Sequence, residues 1–310
     1  MEALRSLKAC ACKLTGAVLI AGALPAVATA QETGETIYEL APASPWNVDY
    51  ADDSCAIMRA FGDEQYRVLM ELRQFAPGRT YRFLAASSQL PFPNRDPELK
   101  LGASEENAIR RTRVIAQDDG LEGFSGVLSL GAAEPGATEA GMDALIAPAD
   151  IREIESLTVE GRGAAPIVLQ TGNLAAPVAA LQTCMNDLLA SWSVDPQTLM
   201  TTSRGVTPVD RNEWVRQVVE HFPQRALRQG RDATFSVSLL VGPDGKVARC
   251  SGTDALTNED FEQVACAALT EYARFDPALD ANGAPTFGFW STTMVYRNED
   301  SLVPIGRIRR

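Results

Sequence analysis

Residues 235–241 alternate apolar Phe235, Val237, Leu239 and Val241 with Ser236, Ser238 and Leu240, then meet Gly242-Pro243-Asp244-Gly245. Alternation with period two gives an extended strand with one strongly apolar face. The tetrapeptide supplies a tight turn, with glycine where φ must be positive. Residues 246–251 read as the returning strand. Thr257 or Asn258 can cap a following helix, with Glu259 and Asp260 at its positive dipole end. Phe261, Val264, Ala265, Ala268, Leu269 and Tyr272 recur at helical spacing, so this helix packs on the hairpin. Asp280-Ala281-Asn282-Gly283 reads as a turn and residues 287–297 as a last strand. A short helix over 212–221, stopped by Pro223, opens this ββαβ unit. In the last strand Phe289, Ser291, Thr293 and Val295 share one face. Trp290, Thr292, Met294 and Tyr296 share the other. The pattern alone leaves open which face is core.

The N-terminus speaks to compartment. Arg5, Lys8 and Lys13 precede a short apolar run over 14–24, broken by Pro25. Ala28-Thr29-Ala30 gives the small-x-small pattern of a secretory cleavage site, with Gln31 as the expected mature start. The apolar run is short for a hydrocarbon core of ~30 Å. Cleavage and a periplasmic location are therefore expected, with retention as an anchor the competing reading.

Six cysteines less two in the leader leave Cys55, Cys184, Cys250 and Cys266. An even number in an exported chain points to disulfides, with three connectivities open. The spacing suggests one bridge per domain, Cys55–Cys184 and Cys250–Cys266. A metal site is not expected, because the chain has no CxxC pair and one histidine, His221. No motif calls for a cofactor. The net charge of −12 falls to −14 on loss of the leader's three bases and one acid. Almost all the excess lies in residues 31–209. Such a charge argues against nucleic acid or anionic lipid as partner.

The expected class is α+β. Residues 31–45 read as a flexible lead-in. Residues 46–192 read as an acidic, antiparallel β-rich domain closed by a helix over 174–192. In that helix Val178, Leu181, Met185, Leu188, Leu189 and Trp192 recur at helical spacing. Residues 193–210 read as a linker, 211–298 as the C-terminal domain and 299–310 as a tail. Short strands are expected over 55–61, 67–75 and 79–86, separated by Gly62-Asp63 and Pro77-Gly78. Residues 131–141 read as a loop.

The C-terminal residues resemble the C-terminal domain of TonB-family energy transducers. The resemblance rests on Phe222-Pro223 with Arg225-Ala226, the strand–GPDGKV–strand hairpin, the helix running into Arg274-Phe275-Asp276-Pro277-Ala278, and Asp280-Ala281-Asn282-Gly283 before the last strand. It covers roughly a quarter of the chain. It implies a periplasmic domain that binds a short peptide of an outer-membrane transporter by strand addition. The expected peptide-binding edge is the last strand, with Phe289, Ser291, Thr293 and Val295. Edge strands of this kind also let two copies pair, so a homodimer is open. Transducers of the family keep an anchor and a long Pro-rich spacer, whereas this chain carries a folded acidic region in the spacer's place. Phe222 stands where the family commonly has tyrosine.

No catalytic motif is expected. His221 lies at a helix end with no nucleophile beside it, which points to a structural role. Gly123-Phe124-Ser125-Gly126 lacks the second glycine of a nucleophile elbow, because Val127 stands there. Asp49, Asp52 and Asp53 read as a solvated carboxylate cluster. Asp276, Asp280 and Asn282 read as turn residues, off calcium-loop spacing. Trp46, Trp192, Trp214 and Trp290 are scattered enough that core packing is expected for most. The leading expectation is a periplasmic protein that binds an envelope partner by strand addition. An anchored transducer of TonB type, and a periplasmic enzyme with its site in the N-terminal domain, are the alternatives.

Overall fold

Two short strands, β1 (Tyr38–Leu40) and β2 (Asn47–Tyr50), lead into three long antiparallel ones, β3 (Cys55–Gly62), β4 (Arg67–Gln74) and β5 (Thr80–Ser87). In β5 every second residue is buried, as period two requires. Gly62 ends β3 at φ +86°, and a Cβ there would lie 1.8 Å from the Tyr66 carbonyl oxygen. Only glycine fits this turn, whose N–H groups of Gln65 and Tyr66 donate to Asp63 Oδ1. The computed structural model describes residues 36–102, 112–116, 122–130, 145–147, 154–221, 223, 233–253 and 259–296. The leader, Thr257 and Asn258, the loop over 131–141, Phe222, Arg225, Ala226 and the tail lie outside them.

The chain continues through β6 (Arg95–Leu101), β7 (Thr112–Ala116), β8 (Glu122–Leu130), β9 (Leu145–Ala147), β10 (Leu157–Arg162) and β11 (Ile167–Leu169). Strands β2-β3-β4-β5-β8-β7, with β9 beside β8, make a seven-stranded sheet, and β1-β11-β10-β6 make a second sheet of four. All pairings are antiparallel except β1 with β11 and β8 with β9. Helix α1 (Ala175–Ser191) buries Val178, Leu181, Cys184, Met185 and Leu189. Those side chains join Ile57, Met70 and Phe83 of one sheet and Leu99, Val159 and Ile167 of the other in one hydrophobic cluster. The Cys55–Cys184 bridge ties α1 to β3 across 129 residues.

Two stretches differ from the sequence reading. The lead-in contributes β1, because Leu40 reaches the cluster and is 5% exposed. The linker is ordered too. Its Asp195 side chain accepts from the N–H groups of Gln197 and Thr198, capping α2 (Pro196–Met200) with Pro196 in the first turn. Then β12 (Thr207–Val209) pairs with β15 (Arg274–Asp276). Each strand is three residues long and too short to show a period.

The last part opens with α3 (Arg211–Glu220), followed by the hairpin β13 (Ala233–Val241) and β14 (Val247–Gly252) and by α4 (Glu259–Tyr272). After β15 a small hairpin, β16 (Ala278–Leu279) with β17 (Pro285–Thr286), leads to β18 (Gly288–Tyr296). The sheet order is β14-β13-β18. Gly245, at φ +75°, lets the turn approach Phe275, whose N–H donates to the Gly245 carbonyl at 2.9 Å. A Cβ at Gly245 would lie 2.2 Å from the Phe275 oxygen. One face of this sheet, with Phe235, Val237 and Leu239, forms a second cluster with Phe261, Ala265 and Leu269 of α4 and with Trp214 and Val218 of α3. Cys250–Cys266 clasps β14 to α4.

The opposite face of that sheet is covered as well. Leu240 belongs to the first cluster, and Phe287 and Phe289 pack on it. The Arg249 guanidinium lies 4.5 Å above the Trp192 ring. Described residues from Thr36 onward therefore belong to one compact unit with two hydrophobic clusters. Among the described residues no helix is long and apolar enough to cross a membrane.

Candidate functional site

Burial resolves the faces of β18. Trp290, Met294 and Tyr296 enter the second cluster, while Phe289 packs toward the first. Thr293 is exposed, and Ser291 and Val295 are half-buried. The four residues expected to select a peptide thus share the face turned from the second cluster, with Phe289 packed on the first cluster and Thr293 open beside Ser236, whose hydroxyl is 3.3 Å from its own.

All nine residues of β18 pair with β13 in continuous register from Ala233↔Tyr296 to Val241↔Gly288. Among the described residues no strand pairs with its other side. An edge of that length offers a row of backbone donors and acceptors to an incoming strand. It is also firmly held. Trp214, Phe275 and Trp290 form an aromatic triangle with centroids 5.2–6.1 Å apart. The Trp214 indole N–H donates to the Val209 carbonyl at 3.0 Å. The Arg211 guanidinium lies 5.7 Å from the Trp290 ring and donates to Thr292 Oγ1 at 3.4 Å. Tyr296 stacks on Phe235 and donates its hydroxyl to the Val218 carbonyl. Burial pushes the Tyr296 phenol up to about 12.

The remaining candidates separate. His221 Nδ1 donates to the Gln217 carbonyl at 2.6 Å, one turn back, and its ring lies 5.2 Å from Tyr272. Ser125 sits inside β8, between Leu84 and Arg113 of neighbouring strands, not at a strand-to-helix turn. Asp280 Oδ1 accepts from the N–H groups of Asn282 and Ala284, which is turn chemistry. Among the described residues no group of His, Cys, Asp and Glu is placed to hold a metal ion.

Asp49 leaves the expected solvated cluster for an ion pair with Arg73 at 2.8 Å. Arg73 also meets Glu71 at 2.8 Å, and Arg82 closes on the other oxygen of Glu71. Arg82 then donates to the Thr253 carbonyl at 3.2 Å, linking the seven-stranded sheet to the end of β14. Burial alone would raise the Glu71 carboxyl. The hydrogen bond from Arg73 and the charges of Arg82 and Arg73 outweigh it and hold the group below its ordinary range. Sequence reasoning missed this chain. Its only signal was charge at alternate positions, 71 and 73 on β4 and 82 on β5, and that pattern also fits a solvated sheet face.

No curated protein and no solved structure matches the chain. Residues 219–296, from the end of α3 through β18, match the family model of the Gram-negative bacterial TonB protein C-terminal.

Proposed function

We propose that this chain is a periplasmic binding protein whose C-terminal sheet takes an extended segment of an outer-membrane protein along β18. One observation carries the reading: β18 is a nine-residue edge strand, paired on one side and anchored by aromatic packing. The family match at 219–296 supports the class of partner. The leader pattern and two disulfides support an oxidising compartment. Backbone groups supply affinity, and Ser291, Thr293 and Val295 offer side chains beside the guest strand. The role is recognition, with no catalytic step.

In an antiparallel ladder neighbouring residues turn their N–H groups to opposite sides, so one of Thr292 and Thr293 faces β13 and the other faces out. Full-length Thr292→Pro and Thr293→Pro proteins are compared for thermal stability and for recovery of outer-membrane partners. The expected outcome is that the variant retaining its melting temperature loses partner recovery. Undiminished recovery by that variant refutes strand addition at β18.

A further inference from the structure

The two disulfides sit in contrasting surroundings. Cys55 and Cys184 are each 0% exposed, sealed in the first cluster. Cys250 and Cys266 are half-buried. They line a groove of about 500 Å³ that opens beside β14. Arg249 and Ser251 contribute from the strand, Thr270 and Glu271 from α4, and Asp53 from the turn between β2 and β3.

Thiol–disulfide exchange needs a thiolate to reach a sulfur along the S–S axis and a leaving thiolate that is tolerated. The groove provides the approach. Both cysteines are partly exposed, so the departing thiolate is left within reach of water. We propose that Cys250–Cys266 is a thiol–disulfide exchange site for a dithiol reductant, a clasp that opens while Cys55–Cys184 stays closed. One thiolate of the reductant attacks a sulfur of the bridge, breaking the S–S bond and releasing the other cysteine as thiolate. The reductant's second thiolate attacks its own sulfur in the mixed disulfide. That step releases the second cysteine and leaves the reductant as a cyclic disulfide. Two electrons pass to the bridge, and the two protons shed by the dithiol are available to the two cysteines.

Opening the clasp does not dismantle its surroundings. Phe261, Ala265, Ala268 and Leu269 keep α4 in the second cluster. Glu262 Oε1 still accepts from the Gly252 N–H at 2.7 Å, holding the end of β14 to the first turns of α4. The change is therefore one of attachment between β14 and α4. This chemistry stands whether or not β18 receives a guest strand.

The test uses the full-length protein under native conditions with dithiothreitol as the dithiol. Samples are quenched with N-ethylmaleimide and mapped by peptide mass spectrometry. Cys250 and Cys266 are expected to be modified at least about tenfold faster than Cys55 and Cys184, with near-ultraviolet circular dichroism retained. Thr270→Trp, on an exposed position of α4, is expected to slow that reduction about tenfold by filling the groove, with the other bridge unaffected. Equal rates for the two bridges, reduction only in step with unfolding, or an unchanged rate in Thr270→Trp would each overturn the proposal.

Discussion

The N-terminal sheets and the C-terminal sheet are both closed by a helix and a disulfide, yet they close differently. In the first, two sheets and α1 enclose a large cluster, and the bridge lies in its interior. In the second, three strands and two helices enclose a smaller one, and the bridge lies at a groove. The larger core seals its fastening and turns one sheet's outer face into an ion chain ending at Thr253. Beside the smaller core, β18 ends its sheet, with no strand on its other side among the described residues.

Measurements on variants can sharpen or break this contrast. The largest effect is expected from removing the buried bridge. Cys55→Ala with Cys184→Ala should lower stability by about 5 kcal/mol on chain-entropy grounds, against about 3 kcal/mol for Cys250→Ala with Cys266→Ala. Guanidinium unfolding measures both, and an inverted order would mean the N-terminal core closes without its clasp. Next comes alkaline pH. The raised Tyr296 phenol stabilises the fold fully below pH 10, and that contribution is lost as pH rises toward about 12. The loss amounts to roughly 3 kcal/mol. Tyr296→Phe should flatten that part of the alkaline unfolding curve. Tyr81, also raised by burial, would continue to titrate within the N-terminal cluster. The smallest effect is expected in acid. Glu71 is depressed, so its contribution is present above its ordinary value of 4.5 and is lost as pH falls through its lower folded value. Glu71→Gln should lessen the fall of the urea midpoint as pH drops below 4.5, with Asp63 and Asp195, also depressed, keeping the remainder.

The C-terminal half was the more legible in sequence. Phe235, Val237 and Leu239 announce a face by period two, and Gly242 to Gly245 announce a turn. Phe261, Ala265 and Leu269 announce the helix that covers them. Each signal is local, lying within a few residues of the structure it sets. Both cysteine pairings followed from assigning one bridge to each domain. The core side of β18 was not legible, since Phe289 and Val295 are as apolar as Trp290 and Met294. Only the placement of two clusters, one on each side, separates them. Pairing of Thr207–Val209 with Arg274–Asp276 was hidden for another reason: register between segments far apart in sequence leaves no trace in strands of three residues. The ion chain failed in the same way. The register sets Arg82 of β5 opposite Arg73 of β4, which brings Glu71, two residues along on the same face, diagonally within reach of Arg82.

Strand β13 has neighbours in every direction: β14 and β18 at its edges, one hydrophobic cluster above it and the other below. Its amides have no private route to solvent. Deuterium reaches them only when the hairpin, the edge strand or a whole cluster lets go. The middle of this strand, Val237 to Leu240, is therefore expected to be the slowest exchange clock of the C-terminal sheet, with an event at either face read there as a change in its rate.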